Sequence, residues 1–107
     1  MPSPLGNKIR TLRTSLGLSL DQLAELTGSS KSYLWELENR DKPNPSADKV
    51  AKIAVVLHVT TQFLLESEET TPDEAVRDEA FFRKYKQLPE PDKAKLRKFL
   101  EAWNDED

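Results

Sequence analysis

An all-helical chain, five short helices followed by two longer ones, is predicted by three features of the sequence. Long β-branched runs are nearly absent, while Leu, Ala, Lys and Glu dominate. Apolar residues recur at three- and four-residue spacing through most segments. Ser, Thr or Asp stands ahead of most of these segments, in the position of a helix cap. At 107 residues, 36% hydrophobic and 33% charged, the chain can bury one small core, with or without an appendage.

Taken in order, Met1 to Pro4 reads as a disordered arm. Leu5, Ile9, Leu12 and Leu16 then mark a first helix that ends at Gly17. Ser19, with Gln22 three residues on, forms a capping box for a second helix. Its inward stripe is Leu23, Ala24 and Leu26, and Gly28 breaks it. Ser29 or Ser30 caps a third helix with Leu34 and Leu37 inward and Tyr33 at the edge. Asn39 to Pro45 is a loop, because two prolines and an asparagine stop any helix. Ser46 caps a fourth helix with Val50, Ile53, Ala54 and Leu57 inward, and His58 stands at its C-terminal end. Thr60 or Thr61 opens a short fifth helix burying Phe63 and Leu64.

Residues 1–66 therefore form one domain, and the acidic stretch 67–73 a linker. Residues 74–104 carry a two-helix hairpin turned by Pro89 to Pro91. Its first helix presents Val76, Ala80, Phe81, Phe82, Tyr85 and Leu88, and its second Leu96, Phe99, Leu100 and Trp103. Residues 105–107 are expected to be a disordered tail.

Composition excludes several function classes. Without cysteine there is no disulfide, thiolate metal site or cysteine nucleophile. No apolar run approaches a membrane span and no signal peptide opens the chain, so a cytoplasmic protein is expected. The lone histidine, His58, reads as a helix-end residue. GSSKS lacks the Gly-Lys-Ser/Thr order and preceding strand of a phosphate loop, and the acidic clusters lack calcium-loop spacing. No nucleophile–base pair is present, so neither an enzyme, a cofactor nor a metal is expected.

The net charge of −3 hides an asymmetry. Up to Leu65 eight basic residues (Lys8, Arg10, Arg13, Lys31, Arg40, Lys42, Lys49 and Lys52) exceed six acidic ones. The remainder carries eight basic and thirteen acidic residues. Only the first part is suited to approach phosphates.

The stretch SLDQLAELTGSSKSYLWELEN, Ser19 to Asn39, holds the functional signal. Ala24 gives two crossing helices the small contact residue they need, Gly28 permits a positive φ in the turn, and Leu34 and Leu37 anchor the following helix. Ser30, Lys31, Ser32, Trp35, Glu36 and Asn39 point away from that anchor. This pattern is a helix-turn-helix that places its second helix in the DNA major groove.

From Leu5 to Glu66 the sequence resembles the phage-repressor (Cro/Xre-type) helix-turn-helix family. The supporting residues are IRTLR, GLSLDQLAELTGSSKSYLWELEN and NPSADKVAKIAVVLHVTTQFLL. KSYL and the trailing two-helix segment are similar to the Sin-type repressors of spore-formers. The resemblance implies that Ser30, Lys31 and Ser32 face base edges or phosphates at the start of the recognition helix. Trp35, Glu36 and Asn39 follow on the same face, Tyr33 bonds a phosphate through its hydroxyl, and Arg40 and Lys42 contact the backbone. It also implies a salt bridge between Arg13 and Glu38. Two departures concern phosphate contacts rather than fold. Leu20 stands where relatives carry a phosphate-gripping glutamine, leaving that contact to Ser19 or the helix amides. Arg40 and a longer loop replace a frequent glycine.

Trp35, exposed, seeks a thymine methyl, a sugar or another protein, and Glu36 reads a cytosine amino group or repels wrong sequences. The hairpin carries more large apolar groups than it can bury alone: Phe81, Tyr85, Leu88, Phe99, Leu100 and Trp103. A second copy covering them, to give a homodimer or higher oligomer, is the favoured reading; folding back onto the first domain is the other. The resemblance adds an antagonist protein as a possible occupant. The expected function is a DNA-binding transcriptional regulator, a repressor acting on a two-fold operator. The alternative is an antitoxin or protease-regulated module whose main partner is a protein.

Overall fold

The computed structural model describes residues 1–105 as seven helices, with no strand among them. These are α1 (Pro4–Ser15), α2 (Leu20–Thr27), α3 (Lys31–Asn39), α4 (Ala47–Val56), α5 (Thr61–Glu66), α6 (Glu74–Lys86) and α7 (Glu90–Asp105). The all-helical expectation holds. The expected tail is corrected at Asp105, which is still helical, and otherwise lies outside the described residues.

Caps fix where the helices begin. The side-chain oxygens of Ser3, Ser19, Ser30, Ser46, Thr60 and Asp73 each accept an N–H from the first turn that follows. At Ser19 the capping box is reciprocal, since Gln22 Oε1 accepts the Ser19 N–H at 2.8 Å. Three helices close with the same device, an N–H two or three residues past the helix reaching five residues back to a carbonyl in its last turn. Leu18 N bonds Arg13 O at 3.0 Å, Ser29 N bonds Ala24 O at 2.9 Å, and Val59 N bonds Ala54 O at 3.0 Å. The left-handed residue in this closure is Gly28 after α2 (φ 66°), but after α4 it is His58 (φ 60°).

Helices α1 to α5 enclose the core. α1 lies on α3 and α5, α2 on α3 and α4, and α4 on α5. Leu5, Ile9, Leu12, Leu23, Ala24, Leu34, Leu37, Val50, Ile53, Ala54, Leu57, Val59, Phe63 and Leu64 make one continuous cluster. Two expected core residues fall outside it. Leu16 and Leu26 are exposed, and on α2 the inner position passes to Thr27, whose hydroxyl donates to Leu23 O at 2.8 Å. The N-terminal arm is also better anchored than expected. Ser3 caps α1, its N–H donates to Arg40 O at 3.2 Å, and the terminal ammonium lies 3.5 Å from Asp41.

Lys8 departs furthest from its expected place. Counted among the basic residues of the part suited to approach phosphates, it is instead buried, and its Nζ donates to Phe63 O at 2.8 Å, to Leu64 O at 3.3 Å and to Ser67 O. All three ammonium protons are spent on carbonyls at the end of α5, which α5 cannot satisfy itself. Burial pushes this lysine below its ordinary pKa.

Beyond α5 the packing thins. Val76 rests against the core and Ala80 is buried, but neither α6 nor α7 lies closely along another helix. They meet near Tyr85, whose hydroxyl accepts from Arg97 Nε at 2.8 Å and whose ring lies 5.7 Å from Lys93 Nζ. The hairpin is therefore open. Pro91, expected in its turn, is the second residue of α7, where a missing N–H costs nothing.

Close approach of α1 to the end of α3 depends on Gly6. A Cβ there would sit 2.6 Å from the carbonyl oxygens of both Leu37 and Glu38. Gly6→Ala is expected to lower unfolding stability by about 1–3 kcal/mol, although helix propensity alone favours alanine by roughly 1 kcal/mol. A denaturant midpoint that moves upward would show that the helices have room to part. Lys8→Met is expected to cost about 3 kcal/mol by the same measurement, because buried carbonyls lose their donor.

Candidate nucleic-acid interface

The helix-turn-helix is α2, the turn at Gly28 to Ser30, and α3. At nine residues, α3 is too short to hold itself, so its aim comes from what it packs on. Leu34 and Leu37 enter the core with 0% and 2% exposure. Glu38, also buried, receives Arg13 in a two-pronged ion pair, Nε to Oε2 at 2.7 Å and Nη2 to Oε1 at 3.0 Å. Arg13 Nη1 donates in addition to Leu18 O at 2.8 Å, joining the α1–α2 turn to the same group.

The opposite face of α3 is open. Lys31, Ser32 and Trp35 are exposed and Glu36 is partly exposed, the four lining one shallow depression. Each expected site residue has a definite neighbour or none. Ser19 and Ser30 use their side-chain oxygens as cap acceptors, which leaves each hydroxyl proton able to donate outward. Tyr33 Oη accepts the Ser46 N–H at 3.0 Å, tying α3 to the first turn of α4, and its own proton remains available. Lys31 Nζ lies 3.4 Å from Asp21 Oδ2, and Arg40 Nη2 lies 3.1 Å from Glu36 Oε1. Asn39 is held from two sides: its amide donates to Trp35 O at 2.9 Å and accepts from Arg10 Nη2 at 2.9 Å. Lys42 projects from the loop after α3 with no hydrogen bond or ion pair among the described residues.

Three contributors escaped the sequence reading. Arg10 binds Asn39 and lies 3.5 Å from Glu38 Oε1; its position one helical turn before Arg13 was the available signal. Asp21 reaches Lys31. Lys49 Nζ donates to Gly28 O at 2.8 Å, bracing the turn from α4. The open cationic groups are thus fewer than the residue count suggests, since Lys8 is internal and Arg13 is committed to Glu38. What remains is a narrow surface with hydroxyl, indole, amide, ammonium and guanidinium groups, carried on a helix of fixed orientation. Such a set can donate to phosphates and reach base edges.

Phe81, Phe82, Phe99, Leu100 and Trp103 are each more than half exposed on α6 and α7, while Tyr85 and Leu88 are partly covered. Among the described residues no helix is long and apolar enough to cross a membrane.

A helix-turn-helix family model matches residues 9–64. The HTH-type transcriptional regulator SinR of Bacillus subtilis (strain 168) is 37% identical over 67 residues, which cover 63% of this chain and 60% of SinR. The chain thus spans about three-fifths of the length of this curated relative. Among solved structures, SinR in complex with DNA aligns with a TM-score of 0.55 and 39% identity, covering 58% of this chain and 98% of that one. The complex of SinR with the SinI protein aligns with a TM-score of 0.57 and 28% identity, covering 96% and 99%.

Removing one half of the Arg13–Glu38 pair should cost more than removing both. Arg13→Met, which strands a buried carboxylate, is expected to lower stability by about 3–5 kcal/mol. Arg13→Met with Glu38→Leu should cost clearly less than the two single changes together. Additive losses in a double-mutant cycle would show that the pair is not coupled.

Proposed function

The chain belongs to the Cro/Xre-type helix-turn-helix family, and we propose that it is a sequence-specific DNA-binding transcriptional regulator, a repressor working as a dimer on a two-fold operator. The observation that carries this reading is the open face of α3, held in fixed aim by the buried Glu38. On this reading Lys31, Ser32, Trp35 and Glu36 face the major groove. Ser19, Ser30, Tyr33, Arg40 and Lys42 approach phosphates, and Asn39, clamped by Arg10, stands at the far end of the groove contact. Likeness to SinR solved with DNA supports it. The protein is proposed to be cytoplasmic and to perform no catalysis.

Residues 1–66 are proposed as the DNA-binding unit, 67–73 as linker and 74–104 as the oligomerisation segment. Five large side chains more than half exposed on α6 and α7 leave on the order of 500 Å² of apolar surface open, taking about 100 Å² for each. A second copy is the proposed cover, through Phe81, Tyr85, Leu88, Phe99, Leu100 and Trp103. Two recognition helices would then meet half-sites one turn, ~34 Å, apart, and linkage would raise affinity that a nearly neutral face cannot supply alone. The same exposed surface favours a second reading, docking of a protein antagonist or toxin. Likeness across 96% of the chain to the SinR/SinI complex supports this one.

Selection from a random duplex pool should return a two-fold sequence with half-sites about one helical turn apart. Lys31→Ala with Trp35→Ala should leave the helical spectrum intact and abolish that preference; retained selectivity would remove α3 as the reading element. Deleting residues 72–107 should convert dimer to monomer in solution and weaken operator binding at least tenfold, whereas a shortened chain that remains dimeric assigns self-association elsewhere.

A further inference from the structure

The DNA-facing surface carries two carboxylates that neither the core nor the caps require. Asp21 lies in the first turn of α2, two residues after Ser19, and its Oδ2 is 3.4 Å from Lys31 Nζ. Glu36 lies on the open face of α3 and its Oε1 is 3.1 Å from Arg40 Nη2. Both are surface groups, with side-chain exposures of 72% and 47%. A favourable interaction with the α2 dipole and an i,i+4 pair would each account for only a few tenths of a kcal/mol of stability. Their position has a larger consequence: each one engages a cation that the interface needs.

We propose that Asp21 and Glu36 are specificity-determining residues that act by repulsion, suppressing sequence-independent binding to the phosphate backbone. The proposal rests on the DNA-binding reading given above and deepens it. Sequence-independent affinity comes almost wholly from cations that displace counterions from phosphates. In the free protein Lys31 and Arg40 already hold carboxylates, so a random duplex gains little by approaching them and meets two negative charges beside them. A matching duplex adds hydrogen bonds and apolar contacts from Ser32, Trp35 and their neighbours, and these repay the release of the two ion pairs. The carboxylates thus lower both affinities but lower the random one more, which raises their ratio.

The test compares wild type, Asp21→Asn, Glu36→Gln and the double variant, all full-length. The probes are the top-ranked duplex from the random-pool selection and a scrambled duplex of equal length, across a salt series. Affinity for the scrambled duplex should rise in each variant. Its logarithmic salt slope should steepen by up to about 0.9 per carboxylate removed. The selected-to-scrambled ratio should fall, about tenfold in the double variant, while the denaturant midpoint stays close to that of wild type. An unchanged or increased ratio overturns the proposal. So does loss of selected-duplex binding by Glu36→Gln with scrambled binding unchanged, since Glu36 would then be reading a base. If wild type binds neither duplex, the DNA-binding reading itself falls, and a folded protein with no affinity identifies that case.

Discussion

The aim of α3 rests on a carboxylate that water cannot reach. Glu38 has no side-chain exposure, and an isolated buried charge of this kind would be untenable without a partner. Arg13 supplies two parallel bonds, Arg10 stands nearby, and the Glu38 carbonyl presses on the space where Gly6 has no side chain. α1 and α3 are consequently tied together at this point. Because α3 is short and its neighbours are short, no helix here has a stable orientation of its own, and the open face inherits its geometry from this pair. The N-terminal arm joins the same assembly through the Ser3 N–H donated to Arg40 O.

Much of the fold was legible because each short helix announces itself twice, once by a cap and once by an apolar stripe. The stripes were least reliable at their edges. Leu26 continues the spacing from Leu23, yet Thr27 lies better inward on α2 and can hide its hydroxyl against Leu23 O. Gly6 and Lys8 were illegible for a different reason: their roles depend on α3 and α5, which lie far along the chain. Nothing local marks a mid-helix glycine as a contact point, or a lysine as a donor to carbonyls 55 residues away. Reading Pro91 as a turn residue overlooked that proline suits a helix's first turn. On the candidate interface, the identity of the outward residues followed from the Leu34–Leu37 stripe. Their pairings did not, because Lys31 with Asp21 and Asn39 with Arg10 cross between helices.

The caps serve two ends at once. Ser19 and Ser30 begin α2 and α3, the two helices of the helix-turn-helix, and both are exposed. Their hydroxyl oxygens accept from the helix, so their protons are the parts left to face outward. A mutation there would disturb helix and interface together. This coupling places the fold and the proposed interface under one constraint, in contrast to Trp35 and Ser32, whose side chains make no hydrogen bond among the described residues.

Lys8 has a practical corollary for anyone dividing this molecule. α5 ends at Glu66, and a protein chemist trimming the N-terminal unit would naturally cut there. That cut removes the Ser67 carbonyl, one of the three acceptors of the Lys8 ammonium, and uncovers to water a side chain that the longer chain buries. A fragment ending one or two residues later keeps the acceptor. The boundary proposed at residue 66 therefore falls one residue short of an atom bound from helix α1.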